Sequence, residues 1–410
     1  MEIRPILSTL MRHKTAAALI VLEIALTCAI ICNALFMIGE RITFVNEPSG
    51  LVENELVRVQ IYGIGKDENA TAQTRADLAA LRALPGVTGA TSINQVPFTN
   101  SSWNSGVRLS TEQDQPTLSA TVYMADEQFL KTLGLRVVAG RDFDPGEYID
   151  YETLERAETA PPIPAALITR RMADRLFPGE EAVGKVFYSW GDSPIRVVGI
   201  LEHLVRPSLQ GGPTAREYSM VFPLRPSYAV GGNYVVRTSP ERRDEVLRAV
   251  TDTLRGNGPK RIIVEENTKT METLRGEFYQ SARSMAWLLG IVCVGLLVIT
   301  ALGIIGLASF WVQQRTKQIG VRRALGATRG QILSYFQTEN FLLATIGIVL
   351  GMLAAYGINQ LLMSKYELAR LPLYYLPVGA VALWLLGQVS VFGPARRAAS
   401  VPPAIATRSV

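Results

Sequence analysis

The sequence predicts an α-helical membrane protein with four transmembrane helices and a large α+β extracytoplasmic domain between the first and second spans. Three observations carry this. Four runs of apolar residues are each long enough to cross the roughly 30 Å hydrocarbon core as a helix. One long stretch between the first two runs, Glu40 to Arg283, has the mixed patterning of a water-exposed domain. The basic residues beside the apolar runs fall on one side of the topology these spans impose.

Residues 1–15 read as a cytoplasmic interfacial helix, because Ile3, Ile6, Leu7, Leu10 and Met11 share one face with Arg4, Arg12 and Lys14 around it. The first span covers 16–39. Its apolar stretch is longer than that of a cleaved leader, so it is expected to stay as an anchor. Glu23 lies inside this span, where a carboxylate is either functional or hydrogen-bonded to a neighbouring helix.

The outer domain, 40–283, reads as two similar units around a middle piece. A strand Leu56 to Tyr62, a helix Thr71 to Leu84 ended by Pro85-Gly86 and a strand Val87 to Ile93 form the first. A strand Tyr234 to Arg237, a helix Pro240 to Leu254 and a strand Arg261 to Glu266 form the second. Between them a second lobe, about 134–223, is inserted; it contains a Pro- and Glu-rich loop, Tyr148 to Pro164.

The second span, 284–312, belongs to a longer pattern. No proline occurs between Pro259 and Pro372, and the helical spacing of Met271, Leu274, Phe278 and Met285 leads into the span while Ile319, Val321 and Leu325 follow it. An unbroken helix from Thr268 to Leu325 would reach on the order of 85 Å. The inner loop 313–333 is basic and amphipathic, with Gly320 and Gly326 placed to bend or end its helix. The third span is 334–363, the outer loop 364–372, the fourth span 373–393 and the cytoplasmic tail 394–410. Gly347 and Gly351 have the small-xxx-small spacing of a close helix contact.

The net charge of +5 sits beside apolar runs, which points to topology and membrane lipid and not to nucleic acid. Cys28, Cys32 and Cys293 all lie in apolar spans, and the chain has two histidines, so the outer domain has neither a disulfide framework nor a thiolate or multi-histidine metal site. Gly179 to Lys185 has the glycine and lysine spacing of a phosphate loop, but Val186 stands where a magnesium-binding hydroxyl is needed. No catalytic cluster is legible, and the chain is expected to be no enzyme and to hold no cofactor or metal. The inner loop is the strongest constellation. Its basic side chains suit either an acidic groove on a partner, anchored by Ile319, Val321 and Leu325, or lipid headgroups.

The stretch Gln314-Arg315-Thr316-Lys317-Gln318-Ile319-Gly320-Val321-Arg322-Arg323-Ala324-Leu325-Gly326-Ala327, followed by Ile332, Phe336 and Glu339, resembles the signature of the MacB/FtsX-type family of ABC transporter permeases. It departs at Gln318, where a glutamate is usual. Leu84-Pro85-Gly86-Val87, Gly140-Arg141-Asp142-Phe143, Leu176-Phe177-Pro178-Gly179 and Val197-Val198-Gly199-Ile200 resemble that family's MacB-like periplasmic core domain, and Pro394 to Ala399 continues the match. The resemblance implies a porter-like lobe with an inserted lobe, periplasmic, in a bacterial inner membrane protein whose termini are cytoplasmic. It implies that Arg315, Lys317, Ile319, Gly320, Val321, Arg322, Arg323, Leu325 and Gly326 form a coupling helix on a separate ATPase subunit, which binds the ATP and Mg. It further implies an assembly of two ATPases with a second permease, identical or related, that drives efflux of a drug, peptide or other amphiphile by mechanotransmission with a periplasmic adaptor and an outer-membrane channel. An FtsX-like regulator of cell-wall hydrolases or of a sensor, and LolC/LolE-like lipoprotein extraction, share the same plan.

Overall fold

A computed structural model describes residues 14–65, 67–156, 161–209, 215–366 and 370–402. The interfacial helix expected at 1–15 falls almost wholly outside them. In chain order the elements begin with the helix α1 (Lys14–Asn46), strand β1 (Leu56–Gly63), helix α2 (Ala70–Arg82) and strands β2 (Val87–Ile93), β3 (Asn104–Val107) and β4 (Leu118–Met124). Then come α3 (Phe129–Leu133), β5 (Val137–Gly140), β6 (Ile149–Asp150), α4 (Tyr151–Arg156), β7 (Ala165–Thr169), α5 (Arg170–Leu176), β8 (Val186–Tyr188), β9 (Pro194–Leu201), β10 (Ser219–Phe222) and β11 (Leu224–Arg225). The chain continues through β12 (Asn233–Thr238), α6 (Arg243–Gly256), β13 (Arg261–Ile263), β14 (Lys269–Thr270), α7 (Met271–Phe278), α8 (Gln280–Gln314), α9 (Thr316–Ala324), α10 (Arg329–Tyr366) and α11 (Tyr375–Ala399). They form two units, Glu47–Gln280 and the remainder of the chain.

The first lobe of the Glu47–Gln280 unit is an antiparallel sheet in the order β13-β1-β12-β2, with β14 also on β1. Val57, Val59 and Ile61 of β1 are buried together with Leu78 and Leu81 of α2 and with Val246, Val250 and Leu254 of α6. Those last three residues follow helix spacing, so one stripe of each helix meets the alternating face of the strands. Asp77 is fully buried and satisfied: it pairs with Arg261, and it accepts from Tyr234 Oη at 2.6 Å and Asn257 Nδ2 at 2.9 Å.

The second lobe is a mixed sheet in the order β3-β4-β10-β7-β9-β5, with β8 added on β9. Its core joins Val122, Met124, Ile168, Phe187 and Phe222 with Met172 and Leu176 of α5. Because β4 pairs parallel with β10 and antiparallel with β3, the inserted lobe starts at Asn104 and not at Gly134. The expected loop 148–164 begins with β6 and α4.

In the other unit, four helices are long and apolar enough to cross a membrane. Gly347 and Gly351 seat α10 on α1: a Cβ at Gly351 would stand 2.5 Å from Cys28 Cβ and 2.6 Å from the Ala25 carbonyl oxygen. Asn33 Nδ2 donates to the Ala355 carbonyl at 3.1 Å, and Thr27 and Thr300 hydroxyls lie 2.8 Å apart between α1 and α8. The Glu23 carboxylate lies over Gly303 of α8, within 2.5 Å of where a Cβ would stand.

The helix expected to run unbroken from Thr268 to Leu325 is three helices. It starts at Met271, because Lys269 and Thr270 pair with β1 and the Thr270 hydroxyl caps Thr273 N. It is interrupted at Tyr279 (φ −92°, ψ 3°) and at Arg315 (φ −99°, ψ 7°). Both side chains are fixed elsewhere: Tyr279 Oη accepts from Arg216 at 2.5 Å, and Arg315 pairs with Glu339. Each break spans one residue and is crossed by hydrogen bonds, Tyr279 N to Arg275 O at 3.1 Å and Arg315 N to Trp311 O at 3.0 Å.

Candidate functional site: the inner helix and its dock

Helix α9 is short and basic, and its two faces have different fates. Arg315, Ile319 and Gly320 are buried, whereas Lys317, Gln318, Val321, Arg322 and Leu325 are exposed at the three- and four-residue spacing of one helix face. Ile319 packs with Val312, Ile332, Phe336, Ala395 and Ala398, a dock built from the end of α8, the start of α10 and the end of α11. Ile332, Phe336 and Glu339 follow one face of α10, and the alanines let the backbone of α11 come close.

Arg315 locks that dock. Its Nη1 donates to both oxygens of Glu339, at 3.0 and 2.9 Å, and its guanidinium lies 5.5 Å from the Trp311 ring centroid. The two side chains are 8% and 2% exposed, so the pair sits where its attraction is little screened. Arg323 Nη1 donates to the carbonyls of Ala399 at 3.1 Å and Val401 at 2.7 Å, satisfying the open end of α11. Gly326, at φ +99°, ends α9, with Gly326 N on Arg323 O and Ala327 N on Arg322 O. Thr328 and Gln331 then bond reciprocally to each other's backbone N–H and start α10.

The structure therefore divides the predicted contact residues. Arg315, Ile319 and Gly320 face this chain's own helices and have no surface to offer a partner; Arg323 is half-buried and spent on α11. Lys317, Val321 (49% exposed), Arg322, Leu325 (83% exposed) and Gly326 face outward. Arg322 leans over the Tyr335 ring, 4.9 Å from its centroid. Glu339, read as part of a motif, is the counter-ion of Arg315; Glu23 lies away from this dock, against α8. The phosphate-loop lookalike joins a helix to a strand, α5 to β8, and its Lys185 is held by Glu180 at 2.6 Å.

Residues 18–253 match the MacB-like periplasmic core domain and residues 290–403 the FtsX-like permease C-terminal family. The chain belongs to the MacB/FtsX-type ABC transporter permeases. This permease is 24% identical to the uncharacterized ABC transporter permease YknZ of Bacillus subtilis (strain 168), over 99% of its own length and 98% of that chain. It is 25% identical to the macrolide export ATP-binding/permease protein MacB 1/2 of Paracoccus denitrificans (strain Pd 1222), over 98% of its own length but 57% of that longer protein. Among solved structures, the extracellular domain of YknZ aligns over 51% of the permease and 100% of that domain, at 18% identity and a TM-score of 0.30. Four membrane helices and a periplasmic-type domain fit a permease of the inner membrane, of a kind that works with ABC ATPase partners.

Proposed function

We propose that the permease converts ATP hydrolysis by a separate ATPase subunit into movement of its outer unit, and that the outward face of α9 is where the ATPase is gripped. The single observation behind this reading is the division of α9: one face is bolted to the bundle, and the other presents Leu325 and Val321 among Lys317 and Arg322. Exposed apolar anchors flanked by cations are the complement of an apolar groove with an acidic rim. A helix fixed on its inner side by Arg315 and Ile319 passes a push on that outer face to α8, α10 and α11 together. ATP and Mg belong to the ATPase in this reading. Two permeases and two ATPases form the assembly, termini face the cytoplasm, and the movement drives efflux of an amphiphile, peptide or drug with a periplasmic adaptor and an outer-membrane channel.

The test is the triple variant Lys317→Glu, Arg322→Glu, Leu325→Ala, which touches none of the buried contacts. Membrane accumulation should stay at the parental level while co-purification of the ATPase falls by about tenfold or more, the equivalent of about 1.4 kcal/mol. Undiminished co-purification would show that this face touches only solvent or lipid.

A further inference from the structure

A polar cleft of about 450 Å³ opens between the two lobes of the Glu47–Gln280 unit. Helix α2 and strand β2 of the first lobe form one side, contributing Arg75, Arg82 and Ser92. The turn after β4 and the ribbon β6–β11 of the inserted lobe form the other, contributing Asp126, Glu127, Asp150 and Arg225.

The floor is tied down apart from one atom. Arg82 Nη2 donates to the Ala90 carbonyl at 2.7 Å and to Asp126 at 3.2 Å, and Asp126 also accepts from Thr91 Oγ1 at 2.6 Å and Gln128 N at 3.0 Å. Ser92 is 2% exposed, and its Oγ has no hydrogen-bond partner. A shielded hydroxyl without a partner is costly, and such atoms in folded proteins call for an explanation. Thr71, which also lines the cleft, donates its hydroxyl away from it, to Glu152 Oε2 at 3.0 Å.

The rim is different in kind. Arg75, with a side chain 60% exposed, reaches across the cleft to Asp150 through a single Nη2 contact at 2.6 Å. Arg225 gives Nε and Nη2 to one oxygen of Glu127, at 2.8 and 2.5 Å, and its Nη1 lies 3.4 Å from the Tyr148 carbonyl and 3.5 Å from Asp150 Oδ1. A guanidinium has five N–H groups, so most of those of Arg75 remain for another acceptor, and exposed pairs of this sort exchange partners at little cost. With three guanidiniums facing three carboxylates, a ligand of one sign is repelled as much as it is attracted. One carrying both signs is not.

We propose that this cleft binds a small zwitterion of the short-peptide type, its carboxylate on Arg75, its ammonium on the Asp150 and Glu127 carboxylates, and a backbone amide on Ser92 Oγ. The volume suits about three small residues, at the lower end of ligand cavities. The cleft lies in the outer unit and does not depend on how the ATPase is engaged.

Titration calorimetry of the full chain in lipid nanodiscs with trialanine tests this directly. Trialanine should bind, and N-acetyl-trialanine amide, which lacks both charges, should bind about tenfold more weakly or worse. Arg75→Gln should weaken trialanine by about tenfold, and Ser92→Ala by about fivefold with no fall in the thermal midpoint, because the hydroxyl makes no bond in the empty cleft. No heat of binding from the folded wild type, equal affinity for the blocked peptide, or unchanged affinity in Ser92→Ala would each overturn the proposal. Since neither ATPase nor transport enters the measurement, such a failure leaves the coupling reading standing.

Discussion

Tyr279 and Arg315 interrupt the same long helical pattern at two places, and at each an arginine, a glutamate and an aromatic ring hold the chain. At the inner break the hold centres on one pair nearly without solvent, Arg315 and Glu339, with the Arg315 guanidinium 5.5 Å from the Trp311 ring centroid. The outer break is shared among many groups. Arg275 donates to Glu53 at 2.5 Å and to the Glu47 carbonyl at 2.8 Å, and lies 5.5 Å from the ring centroids of both Phe98 and Tyr279. Arg216 adds an ion pair to Glu47 at 2.8 Å. Phe98 itself is buried at φ +66°, a conformation a phenylalanine holds only where its surroundings impose it. Concentrating the hold in one shielded ion pair makes a joint that fails when either member is lost; spreading it over hydrogen bonds and rings makes one that degrades by degrees.

The largest expected effect breaks the inner joint. Glu339→Ala leaves a guanidinium buried without its counter-ion and should cost about 3–5 kcal/mol, read as a drop in thermal midpoint and in membrane accumulation. The double variant Arg315→Met, Glu339→Leu should recover most of that loss; if it does not, the pair is needed for more than charge balance. Second, Arg275→Ala should cost about 1.5–3 kcal/mol in denaturant unfolding followed by a probe in the outer unit, the range for hydrogen bonds to charged groups. A loss as large as that of Glu339→Ala would erase the distinction between the joints.

The smallest effect sharpens the contrast by addressing the outer unit alone. Asp67 is held below the usual carboxylate range by the hydrogen bond from Tyr228 Oη, and Glu147 by that from Arg141. Groups depressed in the folded state add stability above their unfolded values, 3.8 and 4.5, and lose it as pH falls through the folded ones. Unfolding of the outer unit should therefore become easier below about pH 4. Asp67→Asn with Glu147→Gln should flatten that slope, measured by outer-unit unfolding between neutral and acid pH.

Much of the fold was legible because it rests on local pattern. Leu56 to Tyr62, Thr71 to Leu84 and Val87 to Ile93 alternate or repeat as their elements require, and β1, α2 and β2 lie there within two residues. The four apolar runs likewise needed only length. The start of the inserted lobe did not show, because β3 is Asn, Ser, Gly and a single Val, and β4, flanked on one side by that short strand, has its other partner in β10, far along the chain. The two helix breaks were equally invisible, since their causes, Glu339 at one and Phe98 with Arg216 at the other, are distant in sequence. For α9 the sequence did not show which side chains the chain itself buries. Ile319 and Arg315 look like partner contacts until the alanines of α11 and Glu339 of α10 are seen to claim them.

Gly347 and Gly351 carry one more consequence. The two glycines of α10 rest directly on Ile24, Cys28 and the Val21 and Ala25 carbonyls of α1, and the glycines have no side chain of their own that could fold aside to allow slippage. Two elements separated by most of the chain are thereby geared together, so that whatever turns α10 turns α1 in step with it.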